Sequence, residues 1–141
     1  MLPRFRHLLV PVDFTEKNQS ALEIAFEIAV NNRARVTLLH VVEEVPGADA
    51  ELKQFIERLQ QRAESEIERC SQKFAQAGVE IETKVRVGRR LPEIVQAQQE
   101  RQVDLVILSS HPIDPIQPVK SWNSLSYQVS VVCPCPVLLV K

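Results

Sequence analysis

Three stretches of this 141-residue chain carry side chains whose type and spacing could do chemistry. Asp13 follows the apolar run "LLVPV" (8–12), and a carboxylate at the carboxyl end of a strand can accept hydrogen bonds from sugar hydroxyls. The segment "SSHPIDPIQPVKSWNS" (109–124) leaves the run "VDLVIL" and brings Ser109, Ser110, His111, Asn123 and Ser124 to the place where open α/β sheets bind phosphate. It contains no glycine. Near the end, Cys133 and Cys135 flank a single proline.

Each stretch also has a plainer explanation. Asp13 in "DFT" suits a turn-capping role leading into a helix. A phosphate cradle needs converging backbone N–H groups and residues that reach positive φ, whereas Pro112, Pro115 and Pro118 each remove a donor and fix φ near about −65°. Asn123 tolerates the left-handed region and Ser124 keeps a hydroxyl near a helix start, so a weak anion site there stays open. Three evenly spaced prolines could instead present an extended recognition segment or stiffen a loop over an empty cleft.

Metal and covalent chemistry find less support. His40 and His111 have no second histidine or glutamate at zinc-ligand spacing, and His40 inside an apolar run reads as a hydrogen-bonded structural residue. Cys-Pro-Cys is not Cys-x-x-Cys, so soft-metal chelation or a redox pair is weighed against free, partly buried thiols, and the latter is preferred. No Gly-x-Ser-x-Gly elbow activates Ser109 or Ser110, and no Walker loop is present. Arg89 and Arg90 follow Gly88 on the side where ligands bind in such sheets, although a pair of this kind is ordinarily solvated.

The elements that must hold these residues alternate in period. "LLVPV", "VTLLHVV" (36–42), "VDLVIL" (103–108) and "VLLV" (137–140) are continuous apolar runs that suit strands covered on both faces. "VEIETKVRV" (79–87) alternates apolar and charged residues, which marks a half-exposed edge strand. Between them lie helical patterns. Ala21, Ile24, Ala25, Ile28 and Ala29 follow Thr15 as N-cap; Leu52, Phe55, Ile56, Leu59, Ala63, Ile67, Cys70 and Phe74 form a long stripe that Gly78 ends. A third helix starts near Pro92 with Leu91, Ile94 and Val95, and a fourth over 122–133 aligns Leu125, Val129 and Val132. Strict alternation predicts a single α/β domain, residues 1–141, with a five-stranded parallel sheet and helices on both faces. The last strand is apolar at every position yet expected at an edge, and a second copy covering it in a homodimer resolves the conflict.

These pieces resemble the universal stress protein family over almost the whole chain, through "HLLVPVDFT", "ALEIAFEIA", "LLHVV", "VDLVILSSH" and "CPCPVLLVK". The resemblance implies a Rossmann-like sheet in the order 3-2-1-4-5. It also implies a choice, because the family divides into members that bind ATP and members that do not. In the binders a loop runs Gly, two residues, Gly, nine residues, Gly, then Ser or Thr. Here those glycines fall on Ser109, Pro112 and Asn123, with ten residues rather than nine before Asn123, and Ser124 and Leu125 follow. Pro11, Asp13, Val41, Ser109, Asn123, Ser124 and Leu125 are therefore the candidate residues of a vestigial nucleotide site.

The totals narrow the function classes. With 17 basic and 18 acidic side chains the net charge is −1, which argues against a nucleic-acid partner. The opening apolar run, broken by Pro11 and Asp13, is too short for a membrane span, and three cysteines in such a chain suggest a reducing cytosol. The expected protein is a cytoplasmic stress-response homodimer that binds an unidentified protein partner, has no metal, is not an enzyme and works without ATP. The alternative is an adenine-nucleotide binder or slow ATPase using Asp13, Val41, Asn123 and Ser124.

Overall fold

The computed structural model describes residues 4–111, 115–117, 119 and 123–141. Strands and helices alternate along them: β1 (His7–Pro11), α1 (Asn18–Asn32), β2 (Arg35–Glu43), α2 (Ala50–Gln76), β3 (Ile81–Gly88), α3 (Arg90–Glu100), β4 (Leu105–Ser109), α4 (Leu125–Val132) and β5 (Val137–Val140). The five strands are parallel in the order β3-β2-β1-β4-β5, as the alternation and the resemblance implied.

Side-chain alternation along the central strands builds two cores. Leu8 and Val10 of β1, with Val36 and Leu38 of β2, face α1 and α2 and pack on Ala21, Ala25, Ile67 and Phe74. Leu9, Leu39, Val41, Val106 and Leu108 point the other way, onto Ile94 and Ala97 of α3 and Val129 of α4. A strand with both faces covered has little room for polar side chains, which is why the central residues of β1, β2 and β4 are mostly apolar, Thr37 and His40 of β2 being admitted through hydrogen bonds. β3, at the edge, keeps its charged face for ion pairs: Arg86 reaches Glu93 at 3.3 Å and Glu100 at 2.8 Å.

Several local expectations shift. Thr15 does not cap α1; its hydroxyl donates to Asp13 instead, and Lys17 in helical φ/ψ precedes the first residue of α1. α3 begins at Arg90, so Pro92 lies within the first turn, where its missing N–H has no intrahelical partner to lose. α2 is capped as its sequence suggests at both ends. Asp49 accepts from the Leu52 amide at 2.9 Å, while Gly78 at φ +79° lets Val79 N–H donate to the Phe74 carbonyl and Gly78 N–H to that of Ala75.

The long stripe on α2 is buried only in its second half. Twenty-seven residues make a helix of about 40 Å, whereas the eight residues of β3 span about 26 Å, so the first turns of α2 overhang the sheet. Ala63, Ile67 and Phe74 are buried, but Phe55 is 48% exposed. Val132 of α4 also departs from its expected inward position and is exposed, next to exposed Val131.

At the amino end of the sheet a polar cluster crosses three strands. His7 is buried; its Nδ1 donates to the Arg101 carbonyl at 3.1 Å, which leaves Nε2 to accept from the Thr37 hydroxyl at 2.8 Å. Burial, followed by the charge of Arg35, pushes the His7 imidazole below its ordinary pKa. Glu82 completes the cluster: burial pushes its carboxyl up, but the hydrogen bond and charge of Arg101 outweigh this and hold it low. The linkage follows in sign. As pH falls below the ordinary histidine value of 6.5, the unfolded chain takes up the His7 proton before the folded one, so stability decreases until the folded imidazole also protonates. Urea unfolding between pH 7.5 and 5 is expected to show this loss, and His7→Gln is expected to flatten the slope.

Candidate functional site

The carboxyl ends of β1, β2 and β4 open onto a cavity of about 770 Å³. Its position follows from topology: the chain leaves β1 for one side and β4 for the other, so the loops part there. The walls are apolar where strands and α3 supply them, through Val12, Leu39, Val41, Ile94 and Leu108. They are polar where loops do, through Asp13, Lys17, Ser109, Ser110, His111 and the first turn of α4.

Six of the seven candidate residues are brought together. Pro11, Asp13, Val41, Ser109, Ser124 and Leu125 line the cavity. Asn123 is exposed in the turn before α4 and is not among the lining residues. Pro112 and Pro118 lie outside the described residues, so the loss of their donors stands as a sequence argument; Pro115 is described and exposed.

The hydrogen bonds show what these groups already do. Asp13 Oδ1 accepts from the Thr15 amide at 3.0 Å and the Thr15 hydroxyl at 2.7 Å, which is the turn-capping role. Phe14 follows at φ +63°, a backbone region that costs a bulky residue about 1–2 kcal/mol, and its ring lies 4.5 Å from that of His40. His40 Nδ1 donates to the Val12 carbonyl at 2.7 Å, so it ties β2 to the end of β1 as a structural residue. Ser124 accepts from the Tyr127 amide and caps α4. The amide of Ser110 donates to the Val140 carbonyl at 2.7 Å and is thereby spent on β5.

Three participants escape a reading of the sequence. Asn18, only 1% exposed, donates to Ser109 Oγ at 3.1 Å and accepts weakly from the Asp13 amide, joining the ends of β1 and β4. Ser126, buried one turn into α4, sits 3.0 Å from Ser110 Oγ and 3.4 Å from Ser124 Oγ. Lys17 donates to His111 Nδ1 at 2.8 Å across the mouth. A paired hydroxyl in "NSLS" was a visible signal for Ser126, but nothing in the spacing marks Asn18 or Lys17 as neighbours of the cleft. Asn18→Ala strips partners from Ser109 and Asp13 and is expected to cost about 1–3 kcal/mol in urea unfolding.

The arrangement favours a flat, hydroxyl-bearing molecule over a polyphosphate. Val41, Ile94 and Leu125 offer apolar walls, and among the described residues no hydrogen bond engages Asp13 Oδ2. The cations at the mouth are partnered: Lys17 by His111, and Arg90 by Glu43 at 3.4 Å. The Ser110 amide is engaged by Val140, and the three loop glycines are replaced by Ser109, Pro112 and Asn123. Among the described residues no group of three or more His, Cys, Asp or Glu side chains could hold a metal ion, and no helix is long and apolar enough to cross a membrane.

Comparison with known proteins agrees with this architecture. The model of the universal stress protein family matches residues 4–141. Universal stress protein YxiE of Bacillus subtilis is 28% identical, the match covering 97% of this chain and 99% of that one. The structure of UspA from Lactobacillus plantarum superposes with a TM-score of 0.80 at 24% identity, covering 98% and 99% of the two chains. A universal stress protein from Archaeoglobus fulgidus, solved in complex with dAMP, superposes with a TM-score of 0.69 at 18% identity, covering 97% and 98%. From its sheet order, its cleft and a family match over nearly every residue, the chain belongs to the universal stress protein family.

Proposed function

We propose that this chain works as a single domain of 141 residues, a cytosolic stress-response regulator that binds a protein partner as a homodimer and does so without ATP. The observation that carries the reading is the replacement of the three loop glycines by Ser109, Pro112 and Asn123: Pro112 has no amide to offer, Ser109 and Asn123 lack the conformational freedom of glycine, and the adjacent Ser110 amide is spent on Val140. Homodimer formation is supported by the edge position of β5, where Leu138 is 38% exposed, and by the exposure of Val131 and Val132 on α4. An apolar edge of this type pairs readily with a second copy.

A second reading is favoured by the cleft itself, which keeps about 770 Å³ and six of its seven candidate residues. On that reading it takes an adenine nucleotide with few phosphates, as the dAMP complex of the Archaeoglobus relative suggests. Mass spectrometry of small molecules released from the purified protein separates the two. The first reading expects no stoichiometric nucleotide; a monophosphate would support the second, and stoichiometric ATP would overturn the first.

A further inference from the structure

Cys133 and Cys135 lie outside the cleft and play no part in the function proposed for it. Cys133 ends α4, its amide donating to the Val129 carbonyl at 2.9 Å, and its side chain is buried in the core that holds Ile94, Ala97 and Val129. Cys135 stands half-buried between α4 and β5. Its thiol donates to the Pro136 carbonyl at 3.4 Å, which leaves the Cys133 thiol to donate to the Cys135 sulfur at 3.8 Å. Both are free thiols, and thiols are weak donors, so giving up these hydrogen bonds costs little. The backbone around them is firmer. The Pro136 carbonyl also accepts from the Val106 amide of β4 at 3.0 Å, and Pro134 restricts Cys133 to the extended φ/ψ of −68° and 129° that it adopts. Two thiols are therefore held in contact, one by the end of a helix and the other by the sheet.

We propose that Cys133 and Cys135 are a redox-active dithiol that a small-molecule disulfide, with glutathione disulfide as the probe, converts to an intramolecular disulfide. Exposure divides the roles. Cys133, 8% exposed, is shielded from an outside disulfide, whereas half-buried Cys135 can meet one. The Cys135 thiol gives its proton to solvent and the thiolate attacks one sulfur of glutathione disulfide. The S–S bond of glutathione disulfide breaks, a new one forms to Cys135, and one glutathione leaves and takes up a proton. Cys133 then loses its proton and attacks the Cys135 sulfur, expelling the second glutathione. The pair has given up two protons and two electrons, and glutathione disulfide has been reduced to two glutathiones. This second step is intramolecular, since two sulfurs already in contact at 3.8 Å close to the disulfide bond length of about 2.05 Å. Burial, followed by the charge and hydrogen bond of Cys133, pushes the Cys135 thiol up to about 12. The thiolate is the attacking species, so oxidation is slow at neutral pH and its rate rises about tenfold per pH unit below that value.

The test treats the reduced, full-length protein anaerobically with glutathione disulfide, quenches in acid, alkylates the remaining thiols and maps the peptides by mass spectrometry. The Cys133 and Cys135 thiols are expected to disappear together, with the loss of two hydrogens and a bond between them, and faster at higher pH. Cys133→Ser is expected to accumulate a glutathione adduct on Cys135, because no second thiol resolves it. Cys135→Ser is expected to leave Cys133 unmodified, and this half-buried position carries the test if the buried variant misfolds. Cys70→Ser, on α2, is expected to change none of this. The proposal is overturned if Cys133 and Cys135 both stay alkylatable in the wild type, if either joins Cys70 or a second chain instead, if Cys133 is modified in Cys135→Ser, or if the rate is indifferent to pH.

Discussion

Replacing Phe74 by alanine is expected to destabilise the chain by about 3–5 kcal/mol, whereas the same change at Phe55, on the same helix, is expected to cost about 0.5 kcal/mol. Phe74 is 1% exposed in the last turn of α2 and meets the Phe26 ring of α1 edge-on, with centroids 5.6 Å apart. It therefore joins the two helices that cover one face of the sheet. Its carbonyl also receives the Val79 amide in the glycine-terminated cap, and Val79 packs against the same core. Truncation leaves a cavity that a capped helix end cannot collapse to fill. Phe55 lies on the overhanging turns and loses little water-free contact. Urea midpoints of the two variants measure the contrast, and equal losses would show that the overhang is packed after all.

The second large effect concerns assembly. Leu138→Lys is expected to convert the proposed dimer to a monomer at micromolar concentration, read by light scattering as a halved mass. A lysine on an edge strand places a charge where a second copy would pair, and this is how natural sheets block such contacts. Because Leu138 is already 38% exposed, the protomer itself is expected to change by only about 0.5 kcal/mol. A wild-type monomer, or a dimer that survives the substitution, would remove β5 as the interface.

The sheet was legible because both-face burial leaves a plain mark: β1 and β4 are apolar at nearly every position, β2 is apolar over most of its interior, and β3 alternates. Its order came from family resemblance rather than periodicity, since parallel strands carry no sign of their neighbours. Helix ends were legible where a side chain or a positive φ does the capping, as at Asp49 and Gly78. They were missed where a turn precedes the helix, as at Thr15 and Lys17. Burial along α2 was overstated because periodicity records which face is apolar but not how far the sheet beneath it extends. Within the cleft, Asp13, Ser109 and Ser124 were named from their place at strand and helix ends and Val41 from the family resemblance, and all four line the cavity. Asn18 and Ser126 were not, because their partners are 91 and 16 residues away along the chain.

Family membership leaves the nucleotide question to the residues of this cleft. Thermal unfolding with and without saturating ATP and magnesium addresses it most directly, because a ligand present at about 100 times its dissociation constant adds about 2.7 kcal/mol to a protein that binds it only when folded. The prolines of the 109–124 loop and the spent amide of Ser110 predict an unchanged melting temperature. A rise of several degrees that grows with ATP concentration would contradict the account and return this chain to the nucleotide-binding branch of its family.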